Sequence, residues 1–143
     1  MNKIILKTIS TAIIVILTCT AVLADGFPAD GKPTVLITGS NTSHGLAFTE
    51  EYAKLGWNVI ATCRTPDEAE RLNALAAQNQ NIVVEKLDIM NDEDIAALAA
   101  KYEGVPIDVL LNNAAINGFR HGISTFGKID YEWFETQLIV NTL

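Results

Sequence analysis

The residues best placed to do chemistry are two glycines and the small polar residues between them. They follow residues 34–38 (Thr-Val-Leu-Ile-Thr), whose β-branched and aliphatic composition is typical of a buried parallel strand. Gly39 begins a polar loop that ends at Gly45, and from Leu46 the apolar residues take helical spacing. Because Gly45 has no side chain, we expect the helix to approach the strand closely there. A glycine turn between a strand and a helix offers unpaired N–H groups and the positive end of the helix dipole to an anion. The stretch therefore predicts the pyrophosphate-binding loop of a dinucleotide site.

The spacing Thr38-Gly39-x-x-x-Ser43-x-Gly45 resembles the Thr-Gly-x-x-x-Gly-x-Gly loop of the short-chain dehydrogenase/reductase family. Ser43 stands where that family usually has its second glycine. Its Cβ could obstruct the pyrophosphate, or its hydroxyl could bond a phosphate oxygen, and both effects stay open. A glycine turn of some other α/β protein is the structural alternative. The contacts predicted from this loop are Gly39, Ser40, Asn41, Ser43, His44 and Gly45.

The residues after the second predicted strand, residues 57–62, indicate which dinucleotide is bound. An NAD site places Asp or Glu there for the ribose hydroxyls, whereas an NADP site supplies Arg for the 2′-phosphate. Residues 57–66 contain no carboxylate, and Arg64 lies at the end of the strand. The sequence therefore favours NADP over NAD, with Arg64 on the 2′-phosphate. A solvated surface arginine is the alternative interpretation.

Two further family motifs follow the third and fourth predicted strands. Asp88 and Ile89 come directly after residues 82–87, and the resemblance implies that Asp88 bonds the adenine amino group, with Ile89 beside it in the site. A helix-entry carboxylate, a role that Asn91 or Asp92 could also take, is the alternative. Residues 112–115 (Asn-Asn-Ala-Ala) resemble the family's Asn-Asn-Ala-Gly signature.

The asparagines of this signature have a structural use that follows from their chemistry. Buried Asn amides after a central strand can pair with main-chain groups of neighbouring strands that would otherwise be unsatisfied, and we expect this of Asn112 and Asn113. Ala114 and Ala115 are small enough to leave room for the cofactor ribose, and Asn113 and Ala114 are the predicted cofactor contacts of this segment. The resemblance also implies that Asn141, in the last predicted helix, holds a water in a proton relay to a catalytic lysine.

Alternating strands and helices are needed to position these residues. The helices are predicted over residues 46–55, 66–78, 92–102 and 129–143, between strands at residues 34–38, 57–62, 82–87 and 107–111. This order predicts an α/β fold, a Rossmann-type parallel sheet with alternating helices, which we expect to be truncated after the fourth helix. The residues expected to face inward are Leu46, Ala47, Tyr52 or Ala53, Leu55, Leu72, Leu75, Ala76, Ile95, Leu98 and Ala99.

The resemblance covers residues 33–143, about the first half of a family domain, and the family's catalytic Ser and Tyr-x-x-x-Lys pair lie beyond it. Each Tyr here is followed four residues later by Gly56, Pro106 or Glu135 rather than by Lys. In that chemistry Tyr protonates the carbonyl oxygen and Lys lowers the Tyr pKa. We expect the cofactor-binding half of an enzyme whose other half is absent from the sequence.

Two functions from different classes stay open. The first is an NADP(H)-dependent oxidoreductase that interconverts a small carbonyl and an alcohol. The second is a nucleotide-binding module without chemistry, or a decayed copy of such an enzyme. An epimerase or dehydratase of the extended family branch fits less well, because Thr42 occupies the middle glycine of that branch's loop.

The composition bounds the partners and the location. Residues 1–24 carry Lys3 and Lys7 before an apolar run, which predicts a cleaved export signal to the periplasm or the exterior; an uncleaved anchor with a cytoplasmic domain is the alternative. Residues 25–32 are predicted as a linker and residues 33–143 as the domain. Apart from the two lysines, the chain has 8 basic and 17 acidic residues, which argues against nucleic acid and limits membrane contact to the N-terminal segment. Two cysteines and two histidines give no metal-site spacing, and a homo-oligomer stays open.

Overall fold

The computed structural model describes Phe27, residues 30–116 and residues 130–142, so the leader predicted over residues 1–24 lies outside the described residues. A four-stranded sheet is formed by β1 (Thr34–Ile37), β2 (Asn58–Cys63), β3 (Ile82–Lys86) and β4 (Val109–Leu111). Every pairing is parallel, and the strand order is β3-β2-β1-β4.

Helices alternate with these strands, which confirms the predicted Rossmann-type α/β fold. They are α1 (Ser43–Lys54), α2 (Glu70–Gln78), α3 (Asp92–Lys101) and α4 (Tyr131–Thr142). The prediction of one helix from Pro66 is wrong in its first turn, where Pro66–Glu68 forms a separate 3-10 turn. Ala69 breaks the helix because its ψ of 56° is not helical. None of the helices in the described part of the chain is long and apolar enough to cross a membrane.

The two central strands are buried on both faces, as expected for a parallel sheet covered by helices. Side chains alternate between the faces along β1, so Val35 and Ile37 point to one side and Leu36 points to the other. On the first side Leu46 of α1 and Leu72 of α2 complete the core. The opposite core contains Leu36, Ile60, Leu87, Leu98, Tyr102 and Phe27. Helices α1 and α2 therefore cover one face of the sheet, and α3 covers the other.

The predicted inner faces are correct for α2 and partly wrong for α1 and α3. Leu72 is fully buried, and Leu75 and Ala76 pack partly against the same core. In α1, Leu55 is 72% exposed and Ala47 is exposed, while Thr49 is buried and its hydroxyl donates to the Gly45 carbonyl at 2.9 Å. The helix begins at Ser43 rather than Leu46, and a threonine whose hydroxyl is satisfied within the helix fills an inward position.

In α3, Leu98 is buried as expected, but Ile95 and Ala99 are exposed. The helix is buried against the sheet near its carboxyl end, where Leu98 and Tyr102 join the second core. Helical periodicity alone does not tell which part of a helix overlaps the sheet, so Ile95 in the first turn was wrongly predicted to be covered. It also does not tell how narrow the covered stripe is, so Ala99, next to the buried Leu98 in the last turn, was wrong as well.

The end of the predicted linker packs against the domain. Phe27 is buried, and its ring meets the Tyr102 ring edge-on with centroids 5.5 Å apart. The Asp30 carboxylate accepts hydrogen bonds from the Asn58 side-chain amide at 2.8 Å and from the Lys32 backbone N–H at 3.1 Å. Bonding to Lys32 and Asn58 lowers the pKa of Asp30 to about 2. This segment is attached at the amino ends of β1 and β2.

The strand order creates a crevice at the opposite edge of the sheet. The chain proceeds from β1 to β2 and β3 in one direction, and then returns so that β4 lies on the other side of β1. In open α/β sheets this switch point, at the carboxyl ends of the strands, is where ligands bind. The glycine loop after β1 and the Asn-Asn-Ala-Ala segment after β4 both lie there.

Candidate nucleotide-binding site

The glycine loop has no room for side chains at its two glycines. Gly39 has a φ of +68°, and a Cβ there would lie 2.9 Å from the Ala114 Cα. A Cβ on Gly45 would collide with the Gly39 carbonyl oxygen and lie 2.6 Å from the Asn113 amide nitrogen. The close approach expected at Gly45 is present, with the loop itself as the partner. These glycines keep the loop folded against the end of β4.

Asn113 and Thr38 hold the loop in place by hydrogen bonds. The Asn113 side-chain amide donates to the Thr38 carbonyl at 2.9 Å and to the Gly39 carbonyl at 3.1 Å, the pairing predicted from its sequence position. Asn112, for which burial and the same pairing were expected, is exposed. The buried Thr38 hydroxyl accepts the backbone N–H groups of Asn113 and Ala114, each at 2.9 Å. This role of Thr38 was not predicted from the sequence, in which the residue is only part of the glycine-loop motif. A hydroxyl at the last position before the loop was the available signal.

The polar residues of the loop occupy different environments. Ser40 is fully buried, and its hydroxyl donates to the Ile37 carbonyl at 2.9 Å, while its backbone N–H donates to the Thr62 carbonyl at 2.8 Å. Its side chain therefore supports the turn from inside. Asn41 is partly exposed, and His44 is exposed in the first turn of α1.

The amino end of α1 is left open, in contrast with that of α3. The Thr42 side chain makes no capping hydrogen bond, and the first turn of α1 contains no acidic residue. In α3, the Asn91 side chain accepts the N–H groups of Glu93 and Asp94, and the first turn is acidic. The free N–H groups and positive dipole end of α1 are therefore available to an anion.

Ser43 has a backbone conformation that favours glycine. Its φ is +47°, the only positive value outside glycine among the described residues. L-residues adopt this left-handed region at a penalty of roughly 1–2 kcal/mol. The loop thus keeps the backbone geometry suited to the family's glycine, although the residue has a Cβ.

A second part of the site is an open cavity of about 490 Å³ at the carboxyl ends of β2 and β3. It brings together Arg64 and Asp88, the residues predicted at the 2′-phosphate and the adenine. Arg64 is exposed, as a group that meets a charged ligand would be. The other lining residues are Thr65, Glu68, Lys86, Asn91 and Asp94.

The helix-entry role considered for Asp88 belongs to Asn91, which caps α3. One Asp88 carboxylate oxygen accepts the Met90 backbone N–H at 3.0 Å, which fixes a turn between β3 and α3. Ile89 is half-buried and packs against the core on the α3 side of the sheet, so its side chain anchors this turn to that core.

Asn141, on α4, joins that helix to the segment after β4. Its side-chain oxygen accepts the Ile116 N–H at 3.0 Å, and its amide nitrogen donates to the Ile116 carbonyl at 2.9 Å. The side chain is engaged by backbone, so any water held here would use another group. The relay role stays a prediction from the resemblance.

A parallel α/β sheet with a glycine loop and an open helix end at its switch point defines a dinucleotide-binding half-fold. The family model described as "short chain dehydrogenase" matches residues 33–143. The chain belongs to the short-chain dehydrogenase/reductase family.

Known proteins support this assignment. The chain is 45% identical over 87 residues to serine 3-dehydrogenase of Agrobacterium fabrum, covering 58% of this chain and 33% of that protein. It is 34% identical over 119 residues to mouse retinol dehydrogenase 13, and this match covers 77% of this chain and 33% of that protein. A short-chain dehydrogenase/reductase from Burkholderia multivorans, solved with bound NADP, is 34% identical with a TM-score of 0.67, covering 77% of this chain and 48% of that one. The chain spans about a third of the length of the two curated relatives.

Proposed function

We propose that this chain binds NADP(H) as the cofactor-binding half of an oxidoreductase that interconverts a carbonyl and an alcohol. The observation that carries the proposal is the closed glycine loop beside an open helix end. Gly39 and Gly45 leave no room for side chains, while the N–H groups at the start of α1 are left without a side-chain cap. Because a buried or crowded loop normally satisfies its donors, this combination suits a pyrophosphate.

The cofactor would lie across two regions at the carboxyl ends of the strands, the glycine loop and the cavity. The loop around Gly39 and the first turn of α1 would hold the pyrophosphate, while Asp88 and Ile89 would contact the adenine. Ala114, which lies against Gly39, would be next to the ribose. When bound, the nicotinamide would supply or accept the hydride that interconverts carbonyl and alcohol.

The preference for NADP over NAD rests on Arg64. Its exposed guanidinium lines the cavity that also contains Asp88, and a 2′-phosphate would pair with it through charge-assisted hydrogen bonds. The NADP in the Burkholderia multivorans relative supports this choice.

The second candidate, a nucleotide-binding module without chemistry, is favoured by one sequence observation. No tyrosine of the chain has a lysine four residues later. NADPH binding without reduction of aldehydes or ketones would support the module. Turnover of NADPH with such a substrate would support the enzyme, and would require another group as proton donor.

The direct test is isothermal calorimetry of the purified chain with NADPH and with NADH. We expect micromolar binding of NADPH and weaker binding of NADH. Arg64→Ala should weaken NADPH binding by about tenfold or more, since a hydrogen bond to a charged group is worth roughly 1.5–3 kcal/mol. Arg71→Ala, which removes an exposed arginine from α2, is the matched control and should change nothing. A folded chain that binds neither nucleotide would overturn the proposal.

Partners and location are further proposals from the sequence. We propose a small carbonyl or alcohol as substrate, a homo-oligomer as the assembly, and export directed by residues 1–24, with an uncleaved membrane anchor as the alternative. The mass of the mature chain after cell fractionation distinguishes cleavage from anchoring.

A further inference from the structure

The side chain of Asp94, in the first turn of α3, connects three parts of the cavity wall. Its Oδ2 accepts the backbone N–H of Asp88 at 3.0 Å, and its Oδ1 accepts the Lys86 ammonium at 2.8 Å. The carboxylate side chain is only 12% exposed. These bonds, with Lys86 first, hold the pKa of Asp94 below its usual range, so the group is charged at neutral pH.

The Asp88 N–H needs this acceptor because β3 is an edge strand, and an edge strand bonds its neighbour through the N–H groups of alternate residues only. Leu87 is the last residue at this end of β3 whose N–H bonds the neighbouring strand, to the Cys63 carbonyl at 2.9 Å. The next N–H along the chain, that of Asp88, has no strand partner, and the Asp94 carboxylate accepts it. The turn then closes through the Asp88 carbonyl, which accepts the Asn91 N–H at 3.0 Å. Asp94 thus fixes the point where the chain leaves the sheet and enters the turn that carries Asp88.

We propose that Asp94 is a positioning residue for the adenosine end of the cofactor, acting through the backbone of Asp88. The proposal rests on the proposed function. Asp88, Asp94 and Arg64 line the same cavity. Both Asp94 oxygens are already bonded within the protein, so the residue holds Asp88 rather than contacting the ligand.

Lys86 has a complementary part in this arrangement. A bare carboxylate in the cavity that Arg64 also lines would repel the phosphates of a nucleotide, and the Lys86 ammonium, 2.8 Å from the Asp94 carboxylate, neutralises it. The ion pair also spans the edge of the sheet, from the end of β3 to α3. Its exposed lysine makes it a weak contributor to stability by itself.

The first-turn position of Asp94 gives a matched control for its charge. Asp92 lies in the same turn and interacts with the same helix dipole, but it is exposed. Asp92→Asn therefore removes an equal charge from the same helix end and leaves the Asp88 turn intact. A difference between the variants reports the bond to Asp88 rather than the dipole.

The experiment measures the affinity of the full 143-residue chain for NADPH and for 2′,5′-ADP, which contains only the adenosine end, by calorimetry. We expect Asp94→Ala to weaken both ligands by about tenfold, and Asp92→Asn to stay within twofold of wild type. Hydrogen exchange of the peptide containing Asp88 should accelerate in Asp94→Ala and stay unchanged in Asp92→Asn.

A rescue variant separates positioning from loss of folding. Asp94→Asn keeps an oxygen for the Asp88 N–H but turns an amide toward Lys86, so it should bind 2′,5′-ADP less well than wild type. Adding Lys86→Gln supplies an acceptor for that amide and should restore the affinity to within threefold.

The outcomes distinguish this inference from the proposed function. If wild type binds both ligands and Asp94→Ala binds them equally well while folded, the positioning role is overturned and the proposed function stands. If folded wild type binds neither ligand, both are overturned. If Asp92→Asn loses as much affinity as Asp94→Ala, the effect belongs to the helix end, and the positioning role is again overturned.

Discussion

The Thr38 hydroxyl connects the start of the glycine loop to β4 and to the segment after it through hydrogen bonds. It accepts two backbone N–H groups of the segment after β4, and it lies 3.5 Å from the Leu111 carbonyl, to which it donates. Thr38→Val preserves the shape and leaves both N–H groups without this acceptor. Leaving one buried donor unsatisfied costs roughly 1–3 kcal/mol. Because two donors lose their acceptor, we expect the unfolding free energy, measured by urea denaturation, to fall by about 2–4 kcal/mol. Thr38→Ser retains the hydroxyl and should recover most of it; equal losses in the two variants would contradict the hydrogen-bond explanation.

Replacing Ser43 with glycine is expected to raise the unfolding free energy, whereas replacing Thr38 lowers it. Glycine at φ +47° avoids a Cβ penalty of roughly 1–2 kcal/mol, partly offset by about 0.5–1 kcal/mol of added chain entropy in the unfolded state. Ser43→Gly should therefore stabilise the chain by about 0.5–1 kcal/mol in urea denaturation. Ser43→Ala keeps the strained Cβ and removes the hydroxyl, so it should not stabilise. NADPH titration of the pair then separates the two effects left open for Ser43: only a hydroxyl contact would make both variants bind more weakly.

Individual residues differed in how far the sequence could predict them. The pairing of Asn113 and the close approach at Gly45 follow from residue type at a fixed place after a strand. The inward-facing hydroxyl of Ser40 does not, because its direction depends on how β2 lies beside the turn. The Asp94 bond to Asp88 was also missed, since it joins a helix to a strand end through tertiary geometry.

At the scale of elements, α3 is attached to edge strand β3 by a buried polar cluster. Glu85, largely buried, accepts the Tyr102 hydroxyl at 2.7 Å and the Lys101 ammonium at 2.7 Å and 2.9 Å on its two oxygens. Burial, and secondarily the Glu85 carboxylate, raises the pKa of Tyr102 far above 10. The folded state therefore holds this proton more tightly than the unfolded chain does.

The sign of the resulting pH dependence follows from linkage. Stability from the Tyr102 hydroxyl is fully present below pH 10 and is lost as the pH rises above it, at about 1.4 kcal/mol per pH unit. Tyr102→Phe should be less stable at pH 8 but show a shallower decline between pH 10 and pH 11.5, measured by urea denaturation across that range. The exposed Tyr131→Phe should keep the wild-type slope. Parallel slopes for Tyr102→Phe and wild type would refute the role of this proton.

Element order and type were predictable because strands buried on both faces and glycine-ended helices leave strong local patterns. Gly56, with a φ of +80°, follows the C-cap of α1, a place where glycine commonly ends a helix. Which helix positions are covered was less predictable, because it depends on the overlap of a helix with the sheet. Leu55 and Ile95 match a helical repeat in the sequence and still lie at the surface.

At the scale of the whole molecule, the parallel topology places every predicted cofactor contact from the strand ends at one edge of the sheet. The N-terminal segment is attached at the other end of the strands, their amino ends. There Phe27 contacts the Tyr102 ring and the Asp30 carboxylate accepts the Asn58 amide. The sequence predicted a linker there because turn-forming residues surround a single aromatic side chain. A lone Phe has no periodicity, so its burial against α3 could be found only from the structure.

The molecule also has uncovered apolar surface on β4 and α4. Leu110, on the face of the sheet shared with Leu36, is 60% exposed. Tyr131, Phe134 and Leu138 recur at the spacing of one helix face, and the last two are 49% and 47% exposed. Such surface favours association, while the net negative charge of the chain opposes it.

We expect burial of the apolar surface to outweigh the charge repulsion between chains when salt screens the charge. Residues 25–143 should associate at micromolar concentration, and association should increase between 0.05 M and 0.5 M salt, where the Debye length falls from about 14 Å to about 4 Å. Static light scattering measures the mass directly. Phe134→Ser with Leu138→Ser should shift the chain toward monomer, whereas Glu135→Ser, an exposed change on the same helix, should not. A monodisperse, cooperatively melting monomer at both salt concentrations would show that this face does not drive association, and the homo-oligomer proposal would then need another surface.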